Sequence, residues 1–134
     1  MSFAGKVLVV DDDAHIRQAL QATLEGAGYS VRLAEDGRQG VDLCRSWRPD
    51  LVLMDLIMPV MDGHLASIEI KYDDELKDTK LVILTADPAE DSRSEGLGHG
   101  ADAYVRKPFH GGELVKLVDS LLHPLGRSSA VPEA

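Results

Sequence analysis

Cysteine is almost absent: Cys44 is the one thiol in 134 residues. That excludes an internal disulfide and any zinc site built on paired cysteines. Aromatic residues are scarce, at 4% with a single tryptophan, Trp47, so any core must be mostly aliphatic. No apolar run approaches the roughly 20 residues needed to cross a bilayer. Met1 to Gly5 carries no basic start followed by an apolar stretch, so it reads as an N-terminal arm and not as a secretory leader. Basic residues are outnumbered, 14 Lys and Arg against 23 Asp and Glu, for a formal charge of −9. Such a surface disfavours direct binding to nucleic acid or to an anionic membrane. These absences together point to a cytoplasmic protein. The remainder is ordinary for a globular chain, 44% apolar and 28% charged. One domain is the natural expectation at this length, and such a domain buries about two-thirds of its unfolded surface.

Short apolar runs alternate with helical patterns. Lys6 to Val10 is β-branched and apolar, as a strand buried on both faces should be, and it stops at Asp11-Asp12-Asp13. Ile16, Ala19, Leu20, Thr23, Leu24 and Ala27 recur at helical spacing, and Gly28 follows as a helix-ending glycine. Ser30 to Ala34 is a second strand; Asp36-Gly37 reads as a turn before a helix from Gln39 to Trp47, which Pro49-Asp50 breaks. Leu51 to Met54 is a third strand, ending on Asp55. Pro59 and Asp62-Gly63 form a loop, and Leu65 to Tyr72 a third helix. Leu81 to Leu84 is a fourth strand, ending on Thr85. Pro88 opens a fourth helix running to about His99, weakened by Gly96 and Gly98. Ala103 to Val105 is a fifth strand, followed by Arg106-Lys107-Pro108, and Leu114 to Leu122 gives the last helix a broad apolar face. Five strand–helix repeats predict an α/β fold, a doubly wound (βα)5 parallel sheet with helices on both faces. The domain is expected over residues 6–123, and the small, polar, Pro-containing stretch 124–134 as a disordered tail or truncated linker.

In such a sheet, ligands bind beyond the carboxyl ends of the strands. There the chain delivers Asp11 and Asp12 from strand one, Asp55 from strand three, Thr85 from strand four and Lys107 from strand five. Clustered carboxylates raise each other's pKa unless a cation offsets them. Oxygen donors of this kind suit a hard ion such as Mg²⁺, with Mn²⁺ as a substitute. A divalent ion, an ammonium and a hydroxyl around one carboxylate form an electrostatic clamp for phosphoryl transfer, with aspartate as a known covalent nucleophile. Asp13 instead sits where a helix N-cap belongs. His15 reads as a solvated helix residue, Cys44 as a small buried hydrophobe and Trp47 as rim packing.

Four segments, in this order and spacing, resemble the receiver domain of two-component response regulators: Val7 to Asp13, Leu51 to Gly63, Thr85-Ala86, and Gly100 to Phe109. The resemblance implies a flavodoxin-like, five-stranded sheet in the order 2-1-3-4-5. It implies Asp55 as phosphoacceptor, loaded by a sensor histidine kinase or a histidine phosphotransfer protein. Asp11, Asp12, Asp55 and the backbone carbonyl of Ile57 would hold Mg²⁺. Thr85, the Ala86 amide and Lys107 would bind the phosphoryl group, and a cis bond before Pro108 would aim the lysine. Thr85 and Tyr104 would form a switch that alters the face made by the fourth helix, the fifth strand and the last helix, to regulate a partner protein or an attached output domain. The domain would then be a phosphoacceptor that assists its own chemistry and not an enzyme acting on a free substrate. Ile57 and Asp87, flanking the site, bear on phosphoryl lifetime in opposite senses. Two other readings compete. A haloacid-dehalogenase-type hydrolase would make Asp11 the nucleophile and Asp13 the acid–base, leaving Asp55 idle. A constitutive interaction module would need neither Asp55 nor Lys107.

Overall fold

The computed structural model describes residues 5–55, 63–85, 101–107 and 109–123. The Ile57 carbonyl, the Ala86 amide, Asp87, the Lys107–Pro108 bond, the predicted fourth helix and the 124–134 segment lie outside the described residues, as does the side chain of Thr85. Five strands are formed: β1 (Lys6–Val10), β2 (Ser30–Ala34), β3 (Leu51–Asp55), β4 (Lys80–Thr85) and β5 (Ala103–Arg106). Four helices are described: α1 (Ala14–Gly26), α2 (Gly37–Trp47), α3 (Gly63–Lys71) and α4 (Gly111–Leu122), the last being the final helix expected from sequence. All strand pairs are parallel and their order is β2-β1-β3-β4-β5, as the resemblance implied.

Alternation along the central strands builds two cores. Leu8 and Val10 of β1, with Val52 and Met54 of β3 and Leu81 and Ile83 of β4, pack under Val41 and Cys44 of α2 and Ala66 and Ile70 of α3. Val7, Val9, Leu51, Leu53, Val82 and Leu84 face the other way, onto Leu20 and Leu24 of α1 and Leu114 and Val118 of α4. Period-two side chains in strands covered on both faces require this continuous apolar run. Each fully buried aliphatic side chain contributes roughly 1.5–3 kcal/mol, so these layers hold the strand ends firmly in place.

Local signals set the helix ends. The Asp13 carboxylate accepts the N–H groups of His15 at 2.8 Å and Ile16 at 3.3 Å, capping α1 as its position predicted. At the other end Gly28 takes φ 100°, and the N–H groups of Gly28 and Tyr29 reach the carbonyls of Glu25 and Leu24. That is a Schellman closure, which glycine enters without a Cβ penalty. Asp36-Gly37 differs from expectation. It is no free turn: Asp36 is the N-cap of α2, accepting the Gln39 N–H at 2.9 Å, while Gln39 Oε1 accepts the Glu35 N–H at 3.0 Å. The Gln39 side chain thus folds back past the cap to the Glu35 amide, a variant of the capping box, whose bond would go to the cap residue itself. Gly40 then allows α2 to lie close on β1, since a Cβ there would stand 2.9 Å from Val10 Cγ2. Cys44 is fully buried, and the half-buried Trp47 ring has the Lys6 ammonium 5.4 Å and the Arg32 guanidinium 5.0 Å from its centroid.

Candidate functional site

The sheet register assembles the site. Val10, the last residue of β1, pairs with Met54 of β3, so one step further on Asp11 stands beside Asp55. On the other side of β3, Asp55 pairs with Leu84, and Thr85 follows at the end of β4, paired with Arg106. Lys107 comes one residue after β5. Reaching across β4, its Nζ lies 3.1 Å from Asp55 Oδ1, and across β4 and β3 it lies 3.2 Å from Asp11 Oδ2. The lysine is thus a bridge between two acids, a contact that sequence could not supply.

Asp11 is almost completely buried, at 1% exposure, and Asp55 nearly so at 8%. Each polar group of Asp11 has a partner. Its N–H donates to the Ala34 carbonyl at 3.2 Å, and its Oδ1 accepts the Asp13 N–H at 2.9 Å. Its Oδ2 takes Lys107, and its main-chain carbonyl accepts an N–H from the Arg17 guanidinium at 2.7 Å. Asp12 is exposed, and one ligand oxygen from each of Asp11, Asp12 and Asp55 can be chosen with all three within 4.8 Å of one another. Three carboxylates so placed, one open to water, match the needs of a hard divalent ion that retains part of its hydration.

The charges perturb one another. Burial first, and then the neighbouring charge of Asp11, push the Asp55 carboxyl above its ordinary range; Lys107 opposes this by charge and hydrogen bond, and Asp12 adds to the rise. Burial works against the Lys107 ammonium, but the charges of Asp55 and Asp11 and its hydrogen bonds to both outweigh it and lift its pKa. The site therefore holds Asp55 in an environment where offsetting its charge is favourable, whether by a proton or by a cation.

The other expected residues divide into two groups. Tyr104 is half-buried, pairs with Ile83 in register and packs against the α2–α3 core. It lies diagonal to Thr85, two residues along β4 from Ile83. Asp13 faces α1 as its cap. That placement counts against the hydrolase reading, which needs the Asp13 carboxylate as acid–base and the Asp11 carboxylate as a free nucleophile. His15 is 98% exposed in its side chain, as a solvated helix residue should be. Arg17 escaped the sequence reading, because an arginine in the first turns of a helix carries no motif signal of its own.

Comparison with known proteins agrees with this geometry. Residues 7–119 match the response regulator receiver domain family. The chain is 41% identical over 117 residues to the response regulator MprA of Mycolicibacterium vanbaalenii, covering 87% of this chain and 50% of the relative. It thus spans about half the length of the curated relatives it matches. Among solved structures, the chemotaxis response regulator CheY4 of Vibrio cholerae superposes with a TM-score of 0.82 at 33% identity, over 90% of this chain and 99% of that one. The receiver domain of the sensor histidine kinase PA1611 from Pseudomonas aeruginosa, solved with a magnesium ion in its active-site cleft, gives 0.82 at 31% identity, over 88% and 97% of the two chains. With a family match running from β1 into α4 and a fold shared with these receivers, the chain belongs to the response regulator receiver domains.

Proposed function

We propose that this domain is a phosphorylation-driven switch in which Asp55 accepts a phosphoryl group from the phosphohistidine of a kinase or phosphotransfer protein. The observation that carries the proposal is the Lys107 bridge: one ammonium within 3.2 Å of both Asp11 and Asp55, at the edge of a three-carboxylate cluster. An oxygen of Asp55 attacks phosphorus, an O–P bond forms, and the N–P bond to the donor imidazole breaks. The imidazole leaves with the electron pair and takes up a proton. Asp55 suits this role because burial and the charge of Asp11 raise its basicity, while the Lys107 ammonium beside it offsets charge that the phosphoryl group adds. Lys107 is within reach of Asp55 and turns to an oxygen of the new phosphoryl group. Asp11, Asp12 and Asp55, with the carbonyl of Ile57, hold Mg²⁺, for which Mn²⁺ can substitute. When bound, the ion supplies charge neutralisation of the transferring group. By the same resemblance the Thr85 hydroxyl and Ala86 amide would take the remaining phosphoryl oxygens, and a cis Lys107–Pro108 bond would aim the lysine.

Phosphorylation of Asp55, as an acyl phosphate, draws Thr85 inward, and Tyr104, diagonal to it on the neighbouring strand, follows. The face that the resemblance assigns to the expected fourth helix, β5 and α4 changes and regulates an output. Since the curated relatives are about twice as long, one of them a DNA-binding transcriptional regulator of Synechocystis, an attached output domain is the favoured recipient. Direct nucleic-acid or membrane contact by this acidic domain is not part of the proposal. No described helix is long and apolar enough to span a membrane, and a cytoplasmic site of action follows from the kinase donor. The domain assists its own phosphorylation and dephosphorylation and turns over no free substrate.

Intact mass after incubation with acetyl phosphate tests the proposal. A gain of one phosphoryl group that requires Mg²⁺ and is lost in Asp55→Asn is expected. No gain, under conditions that modify a control receiver, overturns it. A gain that persists in Asp55→Asn moves the acceptor to another acid.

A further inference from the structure

Asp12 is the least supported member of the acidic cluster. It is exposed, and among the described residues its carboxylate makes no hydrogen bond and no ion pair, whereas Asp11 and Asp55 are both fixed by Lys107. Its direction therefore depends on the backbone that carries it. That backbone leaves the sheet at Asp11. The strand ladder ends at Val10, which pairs with Ala34 on one side and Met54 on the other, so the peptide joining Asp11 to Asp12 has no strand partner for its carbonyl. Arg17 supplies the missing donor, at 2.7 Å.

Arg17 is placed for this and for no salt bridge. Arg38, Arg45 and Arg48 all pair with acids, namely Asp42 and Glu69, Glu69 and Asp73, and Glu75. Arg17 is half-buried and pairs with no acid among the described residues, although three carboxylates cluster nearby. Its own backbone is also fixed to the same loop, since its N–H donates to the Asp13 carbonyl at 3.0 Å. Asp13 in turn donates its N–H to Asp11 Oδ1 and caps α1. The segment from Asp11 to Arg17 is thus closed on itself by five hydrogen bonds, and among the described residues only the arginine bond acts on the Asp11–Asp12 peptide plane.

We infer that Arg17 is a positioning residue for the cation site: by holding the Asp11 carbonyl it sets the direction of Asp12 and so the affinity for Mg²⁺. This rests on the reading of the acidic cluster as a Mg²⁺ site. A bond contribution and a charge contribution predict opposite signs. Removing a positive charge near an acidic cluster should tighten cation binding. Removing a donor that orients a ligand should weaken it, by roughly ten-fold where outer-shell partners of metal ligands have been replaced.

The test titrates Mg²⁺ into the wild type, Arg17→Met and Arg17→Lys, following amide shifts by NMR, with urea unfolding of the metal-free proteins alongside. Met keeps the stem and removes the donors; Lys restores a donor. The expected result is weaker Mg²⁺ binding by about ten-fold in Arg17→Met, largely recovered in Arg17→Lys. The Asp12 amide, which shares its peptide with the Asp11 carbonyl, should shift in Arg17→Met before metal is added. Unchanged or tighter binding in Arg17→Met overturns the inference. So does weakening that Lys fails to recover, or weakening that follows only loss of folded protein in the urea curves. If the wild type itself binds no Mg²⁺, the metal reading fails first, and the inference falls with it.

Discussion

Lys107 and Asp55, 52 residues apart in sequence, meet at 3.1 Å, and the same ammonium reaches Asp11 at 3.2 Å. The pair is more than a contact at the rim. Asp55 is largely buried, and the lysine side chain is only 23% exposed. Removing the ammonium leaves two carboxylates facing each other with little water. Breaking a fully buried pair costs about 3–5 kcal/mol; the partial exposure here reduces the expected loss for Lys107→Met to about 1–3 kcal/mol at pH 7. Urea unfolding measures it. The sign with pH is fixed by the raised pKa of Lys107. Its contribution is complete below the ordinary lysine value of 10.5 and is lost as pH rises through the higher folded value. The wild type and Lys107→Met should therefore converge in stability at strongly alkaline pH.

Asp55 shows a linkage of the same sign in an acidic window, so its contribution is already lost at neutral pH. Its folded pKa lies above the ordinary 3.8, so the unfolded chain releases the proton first as pH rises. Stability falls between the two values and stays lower at neutral pH. Asp55→Asn should accordingly melt a few degrees above the wild type at pH 7, and the difference should vanish below pH 3.8, where both states of the wild type carry a protonated acid. Mg²⁺ should narrow the gap by stabilising the wild type, by about 1.4 kcal/mol at ten times its dissociation constant. Thermal unfolding with and without the ion reads both effects. A variant less stable than the wild type at pH 7 would contradict the assigned sign.

Much of this site was legible because strand ends are written in the sequence. Apolar runs that stop on Asp11, Asp55, Thr85 and Lys107 locate the four carboxyl termini, and a parallel sheet must bring these to one edge. The sheet order was not legible from periodicity. It came from resemblance, and the register then confirmed it. Two features escaped for a different reason. Asp36-Gly37 has the composition of a turn, and only the bond from Asp36 to the Gln39 N–H reveals a cap. Arg17 bonds to a main-chain carbonyl, which every residue possesses, so no residue type elsewhere in the sequence signals its partner.

Gly40 is a packing constraint that a conservative substitution exposes. A Cβ at this position would lie 2.9 and 3.2 Å from the two methyl carbons of Val10. Val10 is fully buried and immediately precedes Asp11. It cannot withdraw without moving the end of β1. Overpacking of this kind costs about 1–3 kcal/mol, against a helix-propensity gain of up to about 1 kcal/mol from replacing glycine by alanine. Gly40→Ala should therefore be destabilised in urea despite its better helix former. A stabilised variant would show that α2 can shift outward freely.

Cys44 reports on opening of the α2–α3 core. Its side chain is fully buried, and burial pushes the thiol up to about 12. The thiolate is the reactive form, and both its scarcity and its enclosure protect it. At pH 8 the native protein should react with iodoacetamide far more slowly than the urea-unfolded chain, whose exposed thiol has an ordinary pKa. Mass spectrometry after timed quenching measures this. Since no other thiol competes, the labelling rate tracks the population in which α2 has left the sheet. Mg²⁺, by favouring the folded state, should slow labelling further. Rapid labelling of the native protein at pH 8 would mean that α2 opens locally, without global unfolding, far more readily than its packing against β1 and α3 implies.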